Sequence, residues 1–389
     1  MHLLGKNITL YRYNAETALR NEALPNIVNP ELNSIFIADS MKAFINSEPI
    51  EKMEFIEDDN RSAILPDPFV SIDGIDFFLS VKGIGSTTDP FSMRSLDRFH
   101  VQSLVNSMEL KKKLEEHESN SNRFITGELW LRGSPYGGQG LEHATIAMKA
   151  TGYASVTSIN GFRIAPILRV NIIPEELERS VKEIFWYRRF NGKIVQEIRL
   201  VPSNVRIYFH SYNTIGSNAK QVFDLFDINT NEKTFRFEAN FVRSALAMLT
   251  LFPRTMSRTP EGLYSGLDFY DVWLDKDAVI APDGTIFFVD LEGIEAIQIR
   301  KEKVRDKIEE QVFRSLYEFM FAYEQIDHER RTRFSGSENR KTQFEILLRE
   351  AVKGDPFLDL IDEGKTLKLL IRNNLRDEEL NMLFPILDR

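Results

Sequence analysis

The order in which strand and helix patterns follow one another is the strongest constraint on the fold of this 389-residue chain. Short apolar runs separated by tight turns fill the first half, whereas apolar residues at helical spacing dominate the second. The dipeptides Asp73-Gly74 and Asn191-Gly192 each separate two such runs and predict β-hairpins. Strands followed by helices are typical of an α+β fold rather than of alternating βαβ units.

The helices are predicted from apolar spacing and from the residues that end it. Residues 237–252 have helical spacing and stop before Pro253. A longer amphipathic helix is predicted over residues 304–323, and a shorter one over residues 141–151 that ends at Gly152. Two further strands are predicted, one over residues 161–171 with an interruption at Pro166 and one over residues 205–211.

Composition excludes several kinds of site. The chain has no cysteine, which excludes a disulfide framework, a cysteine nucleophile and a thiolate metal site, and its six histidines have no metal-ligand spacing. A net charge of −9 disfavours general nucleic-acid binding, because phosphate neutralisation needs clustered cations. No apolar run approaches the roughly 20 residues that span a membrane, and no signal-peptide pattern is present. We therefore expect a cytoplasmic protein with no membrane partner.

One further predicted hairpin lies within the helix-rich half and ends in an acidic residue. The turn Pro-Asp-Gly at residues 282–284 separates two apolar runs, and the second run ends at Asp290. A carboxylate at the end of a buried strand needs a cation or a hydrogen-bond donor. The hairpin returns Asp290 beside the segment that contains Asp277, and such a pair of carboxylates suits Mg²⁺. Asp271, six residues before Asp277, is a third acidic candidate.

The strand-rich half carries a candidate phosphate-binding set. Lys82 closes an apolar strand, and a later glycine-rich stretch leads directly into a predicted helix whose first turn contains Glu142. Glycine lets backbone N–H groups approach a phosphate without obstruction by a Cβ atom. The residues of this stretch that we expect to face a nucleotide are Arg132, Gly133, Gly137 and Gly138.

The order of these motifs over residues 69–295 resembles the protein-kinase-like superfamily, and most closely its HipA-type and selenoprotein-O-type members, in which phosphate-handling glycines can follow the lysine strand. The resemblance implies that Lys82 holds the α- and β-phosphates and that Glu142 orients Lys82. It also implies that Asp277 and Asp290 hold Mg²⁺ while Asp271 acts on the acceptor hydroxyl.

One departure from the superfamily pattern affects the catalytic aspartate. Phe269 and Tyr270 stand where protein kinases have the His and Arg that precede this residue. Asp268 and Asp275 therefore remain alternatives to Asp271 as the catalytic base.

The resemblance implies a two-lobed kinase-like fold and a function. Residues 69–211 would form a strand-rich nucleotide-binding lobe and residues 212–389 a helical lobe with the metal-binding hairpin, and residues 1–68 would be an N-terminal extension that the resemblance does not explain. The implied activity is an ATP- and Mg²⁺-dependent phosphotransferase whose acceptor, a protein or a small molecule, the sequence does not identify. One alternative is AMP transfer, in which Arg132 or Arg163 would stabilise the reversed phosphates. Another is an inactive kinase-like binding scaffold.

Overall fold

A computed structural model describes residues 3–22, 24, 27, 29–42, 45–59, 62–84, 139–156, 163–175, 193–207, 215–249, 251, 255–269, 277–289 and 294–334. Their secondary structure is mixed α+β with a large antiparallel sheet, which confirms the α+β class that the sequence predicts. The chain forms two compact units. The first, here called the sheet unit, comprises the described residues of 3–152 and 166–201, and the second, the helical unit, comprises those of 153–165 and from 202 onward.

Strands predominate in the described first half, as predicted, whereas the second half contains more strands than the one predicted hairpin. The described strands are β1 (Asn7–Asn14), β2 (Glu16–Arg20), β3 (Ser34–Ile37), β4 (Glu51–Asp59), β5 (Ser62–Ile72), β6 (Ile75–Lys82), β7 (Gln139–Gly140), β8 (Arg163–Ile164), β9 (Ile167–Ile172), β10 (Ile194–Val201), β11 (Ser257–Arg258), β12 (Tyr264–Phe269), β13 (Ala278–Ile280), β14 (Ile286–Phe288) and β15 (Ile294–Ile299). The described α-helices are α1 (Asp39–Lys42), α2 (Leu141–Val156), α3 (Ile215–Leu225), α4 (Asn231–Leu249) and α5 (Lys301–Arg333).

The sheet unit closes on itself. Its described strands lie in the order β2-β9-β10-β6-β5-β4-β1-β3, with β7 also paired to β10. β2 is one end of this order, and only Ala15 separates it from β1, the strand that pairs with β3 at the other end. Side chains complete the closure, because Gln196 of β10 accepts a hydrogen bond from Phe36 N and donates one to Phe36 O of β3. The sheet therefore has the curled, barrel-like form that a strongly twisted sheet adopts when its edges meet.

The first 68 residues contribute strands to this sheet. β1, β2, β3 and β4 lie within them, and β4 pairs with β5, the strand that begins at Ser62. The predicted hairpin at Asp73-Gly74 is confirmed, since β5 and β6 pair up to Ile72 and Ile75. Asp73 and Gly74 have φ values of 53° and 77°, as the type I′ turns favoured in two-residue hairpins require.

Two expectations about the middle of the chain have different outcomes. The strand predicted around Pro166 is confirmed with its interruption, because β8 ends at Ile164 and β9 begins at Ile167. The prediction that the helix beginning at residue 141 stops at Gly152 is wrong, since α2 continues to Val156. A glycine inside a helix costs only about 1 kcal/mol relative to alanine, so it does not end a helix by itself.

The helical unit combines three α-helices with two small sheets among its described residues. α3 and α4 pack against α5, and α4 extends the helix predicted over residues 237–252 toward its N-terminus. One sheet has the order β11-β12-β15 and the other β13-β14-β8. Of the strand predicted over residues 205–211, the described part forms one isolated bridge, between Arg206 and Val279. None of the described helices is both long enough and apolar enough to cross a membrane.

The hairpin predicted around Asp283-Gly284 is confirmed and lies in the core of the helical unit. β13 and β14 pair through residues that are all buried. Asn240 of α4 donates a hydrogen bond to the Asp283 carbonyl at 2.9 Å, and Ser244 Oγ accepts one from Ile286 N at 3.2 Å. The hairpin is thus fixed to α4 at both its turn and its second strand.

Candidate functional site

Lys82 occupies a buried position in the sheet unit. It is the last residue of β6, which lies between β10 and β5, and only 6% of its surface is exposed. A lysine that merely covered apolar surface would keep its ammonium group in water. Burial at this level is unusual for lysine and requires that the charge be compensated.

A carboxylate and a second cation lie on the same face of the sheet as Lys82. Glu197 of β10 is the antiparallel cross-strand partner of Lys82, so both side chains project to one face. Arg199, two residues along β10, projects to that face as well and forms an ion pair with Glu197 through Nη2 and Oε2. Both side chains are at least 95% buried, at 0% and 5% exposure. Arg199 Nε is buried and has no hydrogen-bond acceptor among the described residues.

Reading the sequence residue by residue missed Glu197 and Arg199. The signal was present in the strand IVQEIRLV, where a glutamate and an arginine alternate with apolar residues over residues 194–201. All eight residues of this strand are buried, including both charged ones. A strand that places charges on one face inside an apolar sequence predicts a polar face that another group must satisfy.

The structure places the expected orienting glutamate away from the interior. Glu142 lies in the first turn of α2 with its side chain exposed, where a negative charge is favourable to the helix dipole. The expected phosphate-facing residues Arg132, Gly133, Gly137 and Gly138 lie outside the described residues.

Of the two expected metal-binding aspartates, Asp277 lies in the described part of the helical unit. Asp277 immediately precedes β13, is 3% exposed, and its backbone carbonyl accepts a hydrogen bond from Val289 N at 2.9 Å. Asp290 follows Val289 in the sequence but lies outside the described residues, as does Asp271. The hairpin therefore brings the residue before Asp290 into register with Asp277. Within the described ranges, no group of three or more acidic or histidine side chains could hold a metal ion.

The alternative catalytic aspartates can be compared in part. Asp268 on β12 is 2% exposed, and its Oδ2 lies 2.6 Å from Lys307 Nζ of α5. A buried carboxylate that is already engaged by a neighbouring ammonium group is better explained as part of a structural ion pair than as a catalytic base. Asp275 lies outside the described residues. Arg163, the residue considered for AMP transfer, stacks over the Phe287 ring with 5.9 Å between the guanidinium carbon and the ring centroid.

Comparison with known proteins does not assign a family: no protein-family model matches the chain, and no curated protein matches it. Among the described residues, the candidate site therefore rests on the buried row of charged residues in the sheet unit and on the acidic hairpin in the helical unit.

Proposed function

We propose that this chain is a two-lobed, kinase-like enzyme that binds ATP and transfers a phosphoryl group with the help of Mg²⁺. The observation that carries the proposal is the burial of Lys82 on the central β6 strand, beside Glu197 and Arg199. A lysine held in this way is suited to binding phosphate oxygens, since its charge is already desolvated and its position is fixed by the sheet. The Nε atom of Arg199 offers a further buried donor for an anion.

The acidic hairpin would provide the metal-binding part of the site. Asp277 presents a buried carboxylate, and oxygen ligands of this kind fit Mg²⁺. We assign Asp277 and Asp290 as the residues that would hold the ion, which when bound neutralises negative charge on the phosphates.

The proposed reaction forms one P–O bond and breaks another. The acceptor oxygen attacks the γ-phosphorus, the bond from that phosphorus to the bridging oxygen breaks, and ADP leaves with the electron pair. Asp271 would orient the acceptor hydroxyl and take its proton. Lys82 and Arg199 would bind phosphate oxygens, and the rate enhancement would come mainly from positioning and charge neutralisation.

Binding of Mg·ATP to the full chain tests this proposal directly. A ligand that binds only the folded state raises its stability, so millimolar Mg·ATP should raise the Tm. Lys82→Met should weaken ATP binding by about tenfold or more, as loss of a charged phosphate contact does. Lys52→Met, which changes an exposed lysine on β4 of the same unit, should leave binding unchanged. Absence of any effect of Mg·ATP on the wild-type chain would overturn the proposal and favour the binding scaffold.

The position of the label distinguishes phosphoryl transfer from AMP transfer. The chain is incubated with a cell extract as the source of acceptors and with ATP labelled at either the α- or the γ-phosphorus. Label transferred from the γ position supports phosphoryl transfer. Label transferred from the α position would instead assign the AMP-transferase activity.

A further inference from the structure

We infer that Glu197, on the strand beside Lys82, is the carboxylate that positions Lys82 for nucleotide phosphates, in place of the helix residue Glu142. This inference rests on the function proposed above. It concerns a positioning residue, because Glu197 acts through the two cations beside it rather than on the nucleotide.

The strand register provides the first argument. Glu197 and Lys82 are directly paired across β10 and β6. Side chains of directly opposed residues in an antiparallel pair lie on the same face, with Cβ atoms about 5 Å apart. That separation is within the reach of a glutamate and a lysine side chain. Glu142, by contrast, has an exposed side chain at the start of α2.

The ion pair with Arg199 provides the second argument. Glu197 engages Arg199 through Oε2, and the strand register places both residues on the same face as Lys82. The residue opposite Arg199 on β6 is Ser80, whose side chain is small and buried. This face of the sheet thus carries one carboxylate and two buried cations as near neighbours.

The rigidity of this arrangement follows from its place in the sheet. β10 is hydrogen-bonded to β9 on one side and to β6 on the other, so the backbone that carries Glu197 is fixed along its length. A glutamate on a central strand holds its partners more precisely than one in the first turn of a helix, where side chains are solvated. A positioning role for Glu197 differs from a purely structural role in one measurable way. Only the positioning role makes loss of Glu197 weaken the phosphate-dependent part of nucleotide binding.

The experiment compares the affinities of the full chain for Mg·ATP and for adenosine, measured by calorimetry. Glu197→Gln keeps the shape of the side chain and removes its charge. We expect its ATP affinity to fall about tenfold while the adenosine affinity stays within about twofold, since adenosine has no phosphates to engage Lys82. Glu197→Asp, which keeps the charge, should recover part of the loss. Glu54→Gln, an exposed glutamate on β4, is the matched control.

A double-mutant cycle with Lys82→Met separates positioning from general stabilisation. If Glu197 acts partly through Lys82, then Glu197→Gln should cause a clearly smaller loss of ATP affinity once Lys82 is replaced than it causes in the wild-type chain. The same cycle is run with Glu197→Asp if the Gln variant does not fold. Equal losses of ATP and adenosine affinity, fully additive losses in the cycle, or a larger loss from Glu142→Gln than from Glu197→Gln would each overturn the inference. Failure of the wild-type chain to bind Mg·ATP would instead overturn the proposed function itself.

Discussion

Gly284, at the tip of the acidic hairpin, lies directly against the backbone of Phe237 in α4. A Cβ atom added to Gly284 would come within 2.1 Å of the Phe237 carbonyl oxygen, and the φ of this glycine is +91°. Two backbone segments meet here without a side chain between them. The hairpin that follows Asp277 can therefore pack against α4 only because Gly284 has no Cβ atom.

We expect Gly284→Ala to destabilise the protein by roughly 3 kcal/mol, because it combines a left-handed backbone conformation with a steric clash against backbone. Unfolding in urea, followed by circular dichroism, measures the change. Gly262→Ala is the matched control, since Gly262 has a φ of +82° and only the flexible Arg258 side chain near it, at 3.9 Å. The control should cost about 1 kcal/mol, the penalty of the backbone conformation alone. Equal losses in the two variants would contradict the packing of Gly284 against Phe237.

Two of the three predicted hairpins are confirmed, and both were predictable because their determinants are local; the third, at Asn191-Gly192, lies outside the described residues. Asp73-Gly74 tolerates positive φ at both positions, and it separates two apolar runs within the same short stretch of sequence. In the second hairpin only Gly284 has a positive φ, of 91°, and Thr285 N donates to Asp283 Oδ1 at 2.9 Å to stabilise the turn. No distant contact is needed to specify either turn.

The sequence of β10 signals a charged face, but the position of that face beside Lys82 was not predictable from local pattern. The pairing of β6 with β10 joins segments that are far apart in the sequence, and only the register decides that Glu197 meets Lys82. The sequence pointed to Glu142 instead, because the resemblance to kinase-like proteins places the glutamate that orients the lysine on a helix. Likewise, the closure of the sheet at Ala15 depends on β1 and β2 pairing with different neighbours, β4 and β9.

Removal of the negative charge from Asp268 tests its assignment as a structural residue. Asp268→Asn leaves the Lys307 ammonium group, 17% exposed, beside a neutral amide, and we expect a loss of about 2 kcal/mol in the free energy of unfolding. Asp306→Asn breaks the neighbouring exposed ion pair between Lys303 and Asp306 on α5 and should have almost no effect. A loss of nucleotide-dependent activity without any loss of stability in Asp268→Asn would return Asp268 to the list of catalytic bases.

Glu238 should make the stability of the protein depend on pH. Burial in α4 raises its pKa from 4.5 to about 8, although Arg330 donates to its Oε1 at 3.2 Å. The folded state then binds a proton that the unfolded state releases, so stability should fall as pH rises from about 5 to about 8. Glu238→Gln imitates the protonated form and should flatten this dependence, whereas Glu232→Gln, an exposed change in the first turn of α4, should preserve it. Urea unfolding across this pH range measures the slopes, and identical slopes for wild type and Glu238→Gln would contradict the raised pKa.

The last prediction concerns Gln196, whose side chain replaces a strand in closing the sheet. It is fully buried, and its amide accepts from Phe36 N at 2.9 Å and donates to Phe36 O at 2.7 Å. Gln196→Leu has a similar volume but leaves both backbone groups of Phe36 without these bonds, so we expect a loss of about 2 kcal/mol and faster hydrogen exchange of the Phe36 amide. The amide of Ile286, which donates to Ser244 Oγ in the helical unit, should exchange at its wild-type rate. Unchanged protection of the Phe36 amide in this variant would show that pairing with β1 alone holds β3 in place, without help from β10.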